Sequence, residues 1–392
     1  KITKREDANL PFFVENILLN SMMKFIPAFF YLIFIQTFFL RCSSTKNNTS
    51  APLNYKAFCF YYNWYGSIEK DGEAYHWAHA VLKQHANDTI SKGFIPGGDN
   101  ISSNYFPQLG AYSSTDRGII KTHMQMLRKA GIGVIVLTWW NKADFGYKSV
   151  PAIMDEAAKN NIKVCFHIEP FAGRNGATTK DNIQLIIDSY GTHPAFYRMN
   201  NKPLFFVYDS YLTAAAEWSS LLLPNGSISI RNTKYDAIMI GLWVEKNEEN
   251  FFTQSGFDGF YTYFGATGFT YGSTPANWPY LQQWADSNHK IFIPSVSPGY
   301  IDSRVRPWNG KNTRERKNGI YYDEMFEQAI QSKAKFIGIT SFNEWHEGTQ
   351  IEPAVPFKSK GFHYQNYNPL APDYYLKRTT YWLSQWEKSK YP

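Results

Sequence analysis

From residue 51 onward the chain alternates short apolar runs with amphipathic stretches. Eight apolar runs stand out, at residues 56–62, 134–140, 163–169, 203–208, 237–243, 259–263, 290–297 and 335–342. They are rich in β-branched and aromatic residues, and mostly apolar at successive positions. A strand with one wet face alternates apolar and polar residues, whereas a strand covered on both faces does not. The runs therefore predict buried parallel strands. Between them, residues 116–130, 150–160, 180–190, 214–223, 278–287 and 321–332 carry apolar residues at helical spacing, and 372–388 closes the chain the same way. The first of these opens on Asp116, a helix-capping residue, and ends at Gly131. The weakest helical signal follows the fifth run, around residues 245–254.

Eight strands alternating with helices predict an α/β fold, a single (β/α)8 barrel. The alternative is an open, doubly wound sheet. That fold usually carries a glycine-rich phosphate turn after its first strand, and no such turn follows residues 56–62. Residues 66–115 are too long for a plain connection, and long loops in compact domains are usually functional. This one carries Tyr75, His76, Trp77, His79 and His85 and reads as a lid or wall over the barrel mouth.

Composition narrows the function. Aromatic residues make up 18% of the 392 and charged residues only 19%, which excludes a disordered chain. So many rings suit a large core, and they also suit a ligand with flat C–H faces, such as a sugar. The net charge of +7 is modest and no basic stripe is dense enough for a nucleic-acid footprint. The one local cluster (Arg304, Arg306, Lys311, Arg314, Arg316, Lys317) reads as a solvated loop. The three cysteines, Cys42, Cys59 and Cys165, have no metal-site spacing, and no disulfide framework is expected. Cys59 and Cys165 fall in predicted strands and read as small buried thiols.

Near the N-terminus, an apolar run from Phe25 to Leu40 follows Met22, Met23 and Lys24. It is shorter than the roughly 20 residues of a membrane span and suits a signal-peptide core. Residues 1–21 then read as an upstream extension, 22–42 as a leader, 43–54 as a polar tether and 55–392 as the catalytic barrel. Cys42, followed by Ser43 and a polar stretch, looks like a bacterial lipoprotein cysteine, although Arg41 fits poorly before it. A type II membrane anchor of the Golgi is the alternative, for which the sequons at Asn47, Asn48, Asn87, Asn100 and Asn225 would be usable. Either way the catalytic part is exported, to a bacterial cell surface or periplasm in the first reading.

Barrel chemistry belongs to the C-terminal strand ends. In order, those ends carry Tyr61 and Tyr62; Trp139 and Trp140; His167 and Glu169; Tyr208 and Asp209; Trp243 and Glu245; Tyr261 and Tyr263; Ser295 and Ser297. Trp139 and Trp140 alternate faces, so one lines the mouth and the other packs against a helix. The eighth end is the most informative. Ser341-Phe-Asn-Glu-Trp-His-Glu-Gly-Thr-Gln-Ile-Glu-Pro353 sets Glu344 and Glu347 among Asn343, Trp345 and His346. Acetal hydrolysis needs one carboxyl protonated, to donate to the leaving oxygen, and another to act as base or nucleophile.

That last run, together with Phe60-Tyr-Tyr-Asn-Trp-Tyr-Gly66, Tyr75-His-Trp77, Phe106-Pro-Gln-Leu-Gly-Ala-Tyr-Ser113 and His167-Ile-Glu-Pro170, resembles the endo-α-1,2-mannosidases of glycoside hydrolase family 99. The resemblance spans residues 55–391. It implies a (β/α)8 barrel that needs no metal or cofactor and cleaves within a chain, at an α-1,2-mannosidic bond beneath an α-1,3-linked glucose or mannose. It implies retention through a 1,2-anhydro sugar, in which the sugar's own 2-hydroxyl attacks the anomeric carbon. On that resemblance Glu344 is the base for the 2-hydroxyl, and Glu347 is the acid that later activates water. The division requires Glu347 raised in pKa while Glu344 stays ionised. Glu169, Tyr263 and Tyr61 or Tyr62 would hold the reacting mannose, with His167, Tyr208 and Trp345 as further substrate-binding candidates. Trp139 resembles the wall of the next sugar site outward, and a tryptophan there is like the bacterial members that favour mannose. The expected partner is an α-mannan or high-mannose-type oligosaccharide, bound by a monomer that touches a membrane only through its leader. Two other readings stay open: a barrel hydrolase that pairs Glu169 with Glu344 or Glu347 as acid and nucleophile, and a non-catalytic glycan-binding barrel.

Overall fold

The computed structural model describes residues 51–85, 87, 88, 94, 100–359 and 361–389. The leader, Cys42, the tether up to residue 50 and the sequons at Asn47 and Asn48 lie outside the described residues. The predicted strands form as β1 (Asn54–Tyr61), β2 (Ile132–Trp139), β3 (Lys163–Ile168), β4 (Lys202–Val207), β5 (Ile238–Leu242) and β6 (Gly259–Tyr261). Next comes β7, which runs as Ile291–Ile293 and resumes after Pro294 as Ser295–Val296, and then β8 (Ile337–Ile339). Each strand pairs in parallel with its sequence neighbour from β1 to β7. Closure comes from both sides of β8: Gly338 is in register with Ser295 of β7 and with Phe58 of β1. Pro294 has no N–H to give the ladder, yet its carbonyl still accepts from Gly338 N at 2.8 Å. The barrel is therefore complete, as the pattern predicts.

All eight residues of β2 are buried, because side chains on one face fill the barrel and those on the other meet helices. The interior is largely aromatic. Phe60 of β1 contacts Phe206 of β4 and Tyr261 of β6 at ring separations of 5.6 Å each, and Phe206 meets Tyr261 edge-on at 5.1 Å. Such pairs add to the burial of large apolar area, so part of the aromatic richness serves the core.

Helices form where predicted, with ends set by caps. Asp116 caps Arg117–Lys129 by accepting from the backbone of Gly118 and Ile119. Asn175 and Thr178 cap each other reciprocally at the start of Gly176–Tyr190. That box starts the helix four residues before the periodicity at 180 does. After the fifth strand only the short helix Glu249–Gln254 forms, in line with the weak signal there. Two short antiparallel pairings were not anticipated: Arg198–Met199 against β4, and Lys358–Ser359 against Phe362–His363.

The long segment after β1 folds back over the barrel mouth. Trp77 anchors it, fully buried, stacked on Tyr65 at 4.1 Å and donating its indole N–H to the Tyr112 carbonyl. Farther along, Leu82 N donates to Val305 O in the loop after β7 at 2.8 Å, so the segment bridges two sides of the mouth.

Candidate active site

At the C-terminal ends of the strands lies a cleft of about 300 Å3. Tyr62, Trp64, His76, His79, Trp140, Glu169, Tyr208, Tyr263, Arg306, Glu344, His346 and Glu347 line it. Every barrel strand but β5 contributes, directly or through the loop that follows it.

The 341–353 loop builds the acidic wall. Asn343 forms two hydrogen bonds with the backbone of Tyr62, accepting from its N–H and donating to its carbonyl, both at 2.8 Å. This clamp fixes the end of β1 against the loop. Ser341 Oγ accepts from Glu344 N at 2.7 Å. Gly348 has φ of 61°, and a Cβ there would stand 2.6 Å from the Ile301 side chain. Only glycine combines that dihedral with so close an approach. The approach lets Ile301 N donate to Glu347 O at 2.8 Å, locking the loops after β7 and β8 together.

The two carboxylates differ in their partners. Glu344 is 3% exposed, accepts from His346 N at 3.0 Å and lies 3.5 Å from His346 Nδ1. Glu347 Oε1 is 3.8 Å from Arg306 Nη1, and its buried Oε2 has no hydrogen-bond partner. Burial raises the Glu344 carboxyl well above the ordinary range, and the charge of Glu347 adds to it. Burial also pushes Glu347 up to about 7; Arg306 opposes the rise, while Asp302, Glu169 and Asp209 reinforce it. The expected division, with Glu344 ionised and Glu347 alone raised, is thus not what burial provides. Both are raised, and two groups so coupled titrate as a pair.

Tyr263 has φ of 41°, a costly backbone position for a bulky residue. Thr340 Oγ1 holds it by donating to its carbonyl at 2.6 Å. In that conformation its hydroxyl meets the Tyr62 hydroxyl, and its ring packs edge-on against Tyr208 at 5.0 Å. Glu169 Oε1 accepts from Thr138 Oγ1 and lies 3.1 Å from His167 Nδ1. His167 Nε2 lies 2.6 Å from the Tyr261 hydroxyl. His167 is 1% exposed and does not line the cleft, and its Nδ1, although close to Glu169, makes no hydrogen bond among the described residues.

Three other expected residues stand elsewhere. Tyr61 is buried behind the wall, its hydroxyl 2.9 Å from His123 Nδ1 and its ring stacked on Phe342, so Tyr62 is the one of the pair that lines the cleft. Trp139 faces the helices, donating its indole N–H to Asn182 at 2.8 Å and packing on Phe166. Trp140 takes the cleft wall instead. Trp345 is fully buried and donates its indole N–H to Glu352 at 3.0 Å.

Residues read only as part of a strand end, a lid or the acidic loop also line the cleft. Trp64 stacks on His76 at 4.4 Å and packs at a tilt against Tyr62 at 4.5 Å, and His346 joins them through the carbonyl of His76 at 2.8 Å. Burial pushes His346 well below its ordinary range and His76 to about 3, so these rings act as neutral walls at neutral pH. The cluster read as a solvated loop is largely folded in. Arg304 is 9% and Arg316 7% exposed, and Arg306 reaches the cleft. Arg316 lies among the rings of Tyr105, Tyr367 and Tyr375 and donates to the carbonyls of Gly348 and Gln350. Cys59 and Cys165 are buried free thiols, as expected, and no group of metal-ligating side chains occurs among the described residues.

Comparison with known proteins agrees with this geometry. The structure of the GH99 endo-alpha-mannosidase from Bacteroides thetaiotaomicron superposes with a TM-score of 0.84 at 54% identity, covering 87% of this chain and all of that one. The glycoprotein endo-alpha-1,2-mannosidase of Mus musculus is 47% identical over 354 residues, 86% of this chain and 76% of the relative. The Homo sapiens glycoprotein endo-alpha-1,2-mannosidase-like protein is 46% identical over 346 residues, 84% of this chain and 76% of the relative. With residues 52–388 matching the family pattern as well, the chain belongs to glycosyl hydrolase family 99.

Proposed function

We propose that this enzyme is a retaining endo-α-1,2-mannosidase, cleaving the α-1,2-mannosidic bond beneath an α-1,3-linked mannose or glucose in mannan or N-glycan-type oligosaccharides. The observation that carries the reading is Glu347 Oε2, a buried carboxyl oxygen without a partner in a cleft walled by aromatic rings. A carboxyl kept protonated near neutral pH can donate to a glycosidic oxygen. In the first step Glu344 takes the proton from the 2-hydroxyl, O2 bonds to C1, and the C1–O bond to the leaving sugar breaks as Glu347 protonates that oxygen. In the second step Glu347 takes a proton from water, the water oxygen bonds to C1, and the C1–O2 bond opens with O2 reprotonated by Glu344. With both carboxyls raised and coupled, the reactive form is the singly protonated pair, with the proton on Glu347 and Glu344 ionised to receive the hydroxyl proton. Tyr62, Tyr263 and Glu169 hold the reacting mannose, and Trp140 walls the next sugar site outward.

The bacterial structure is more similar to this chain than the mouse enzyme is, 54% against 47% identity, which favours a bacterial-type, mannan-directed role. The test is product analysis on Man-α-1,3-Man-α-1,2-Man and Glc-α-1,3-Man-α-1,2-Man. Release of the α-1,3-linked disaccharide with retained configuration is expected, faster from the all-mannose substrate. A substrate with 2-deoxymannose at the reacting position should resist cleavage. Cleavage of it at the normal rate would overturn the 1,2-anhydro route, and no release from either trisaccharide would overturn the activity.

A further inference from the structure

Glu347 shares its cation. Arg306 Nη1 stands 3.8 Å from Glu347 Oε1 but 3.2 Å from Asp302 Oδ2. Only the second is a hydrogen-bond distance. Asp302 is 1% exposed; its Oδ1 has no partner among the described residues, and all the carboxylate's hydrogen bonds converge on Oδ2, which also accepts from the Tyr300 hydroxyl at 2.9 Å and from Asn309 Nδ2 at 2.8 Å. Its backbone setting is rigid, since Tyr300 exchanges two backbone hydrogen bonds with Arg314 and Ile301 N binds the Glu347 carbonyl. Asp302 therefore has the geometry of an anchor, and Arg306 is committed to it. A guanidinium free to pair with Glu347 in bidentate fashion would hold that carboxyl ionised.

We propose that Asp302 is a positioning residue for the reaction, drawing the Arg306 guanidinium away from Glu347 so that Glu347 remains the proton donor. The proposal rests on the reading of Glu347 as the acid. The groups that face Glu347 come from every side of the cleft: Arg306, Asp302 and Tyr300 from the loop after β7, Glu169 from β3, Tyr208 and Asp209 from β4, Tyr263 from β6, Tyr62 from β1 and Glu344 from its own loop. His76 and His79 from the loop after β1 and His346 beside Glu347 complete the titratable lining; Arg306 is its one arginine or lysine among the described residues, so its placement decides how strongly a permanent positive charge acts on the acid.

Asp302→Asn keeps an acceptor for Tyr300 and removes the charge that holds Arg306. The basic limb of the kcat/KM profile should move down by about one pH unit, the scale of a relocated neighbouring charge, while the rate below the limb changes little. Tyr300→Phe removes a donor from Asp302, leaves it more available to Arg306, and should move the limb upward. Both variants would also be labelled with 13C-carboxyl glutamate and titrated by NMR, with Glu347→Gln identifying the resonance. This readout needs no substrate, so it separates failure of the proposal from failure of the assigned activity. Opposite shifts in the two variants support the proposal. A Glu347 titration unmoved in Asp302→Asn, or moved upward, overturns it, and so does an unmoved Tyr300→Phe profile if Asp302→Asn does not fold. Uniform loss of rate at every pH with an unmoved limb would mean that Asp302 is only structural.

Discussion

Two ends of one loop treat a buried carboxylate in opposite ways. At the core-facing end, Glu352 is fully buried and saturated with donors. Its Oε1 lies 3.1 Å from His123 Nε2, and its Oε2 accepts from the Tyr112 hydroxyl at 2.8 Å and from the Trp345 indole at 3.0 Å. At the cleft-facing end, Glu347 keeps one oxygen without any partner, and its cation stands beyond hydrogen-bond reach. Glu352 is the more deeply buried of the two, 0% against 14% side-chain exposure, so burial alone does not make a carboxyl reactive. What differs is donor supply. A satisfied buried carboxylate fixes the loop, whereas an unsatisfied one costs stability and retains its proton. The first also serves the second, because Glu352 anchors Trp345, which lies between Glu344 and Glu347 in sequence.

The comparison can be broken in several places. The largest effect is expected from Glu347→Gln, which should lower kcat/KM on unactivated oligosaccharides by about 100- to 10,000-fold, the usual contribution of general acid–base catalysis. Steady-state rates with the trisaccharides above would check it, and a loss under tenfold would argue against the acid assignment. Next come the paired tryptophans. Trp139→Ala empties a packed site between strand and helices and should cost about 3–5 kcal/mol in denaturant unfolding. Trp140→Ala should leave stability nearly unchanged and raise KM. The reverse pattern would return Trp139 to the cleft.

The smallest effect is the pH dependence of stability. Glu347 has its proton affinity raised by burial in the folded state, to about 7 against an ordinary value of 4.5. The folded state therefore binds the proton more tightly than the unfolded state does. Its stabilising contribution is complete below pH 4.5 and is lost as pH rises through 7. Because Glu344 is raised as well and titrates with it, Glu347→Gln should make that slope shallower without abolishing it and raise Tm above pH 7 by about 2–4 °C, as calorimetry across pH 4–8 would record. An unchanged slope would mean that the folded carboxyl has an ordinary proton affinity.

Much of the barrel was legible because its signals are local. Buried parallel strands lack alternation, and caps such as Asp116 mark helix starts. Glu169, Tyr208, Tyr263, Glu344 and Glu347 were legible because strand ends in a barrel converge. Trp139 and Trp140 were not separable, since every residue of β2 is buried and no polar face reports which side is which. Trp64 lies three residues past β1, in a strand end the sequence marks, and His76 in the segment that reads as a lid; that Arg306 joins them depends on contacts such as Leu82 to Val305, which span more than two hundred residues. Arg316 looked solvated because a charged residue in a loop ordinarily is; its three aromatic neighbours come from distant segments. The saturation of Glu352 depends on His123 and Tyr112, which sequence spacing does not bring together.

The most direct test sets Glu347→Gln beside Glu352→Gln, measuring kcat/KM and denaturant stability on the same preparations. Glu347→Gln should lose the rate and keep or gain stability. Glu352→Gln should lose about 1–3 kcal/mol, because its amide presents a donor to partners that are themselves donors. The opposite outcome, a destabilised Glu347→Gln beside a stable but inactive Glu352→Gln, would contradict the assignment of the reactive and the anchoring carboxylate.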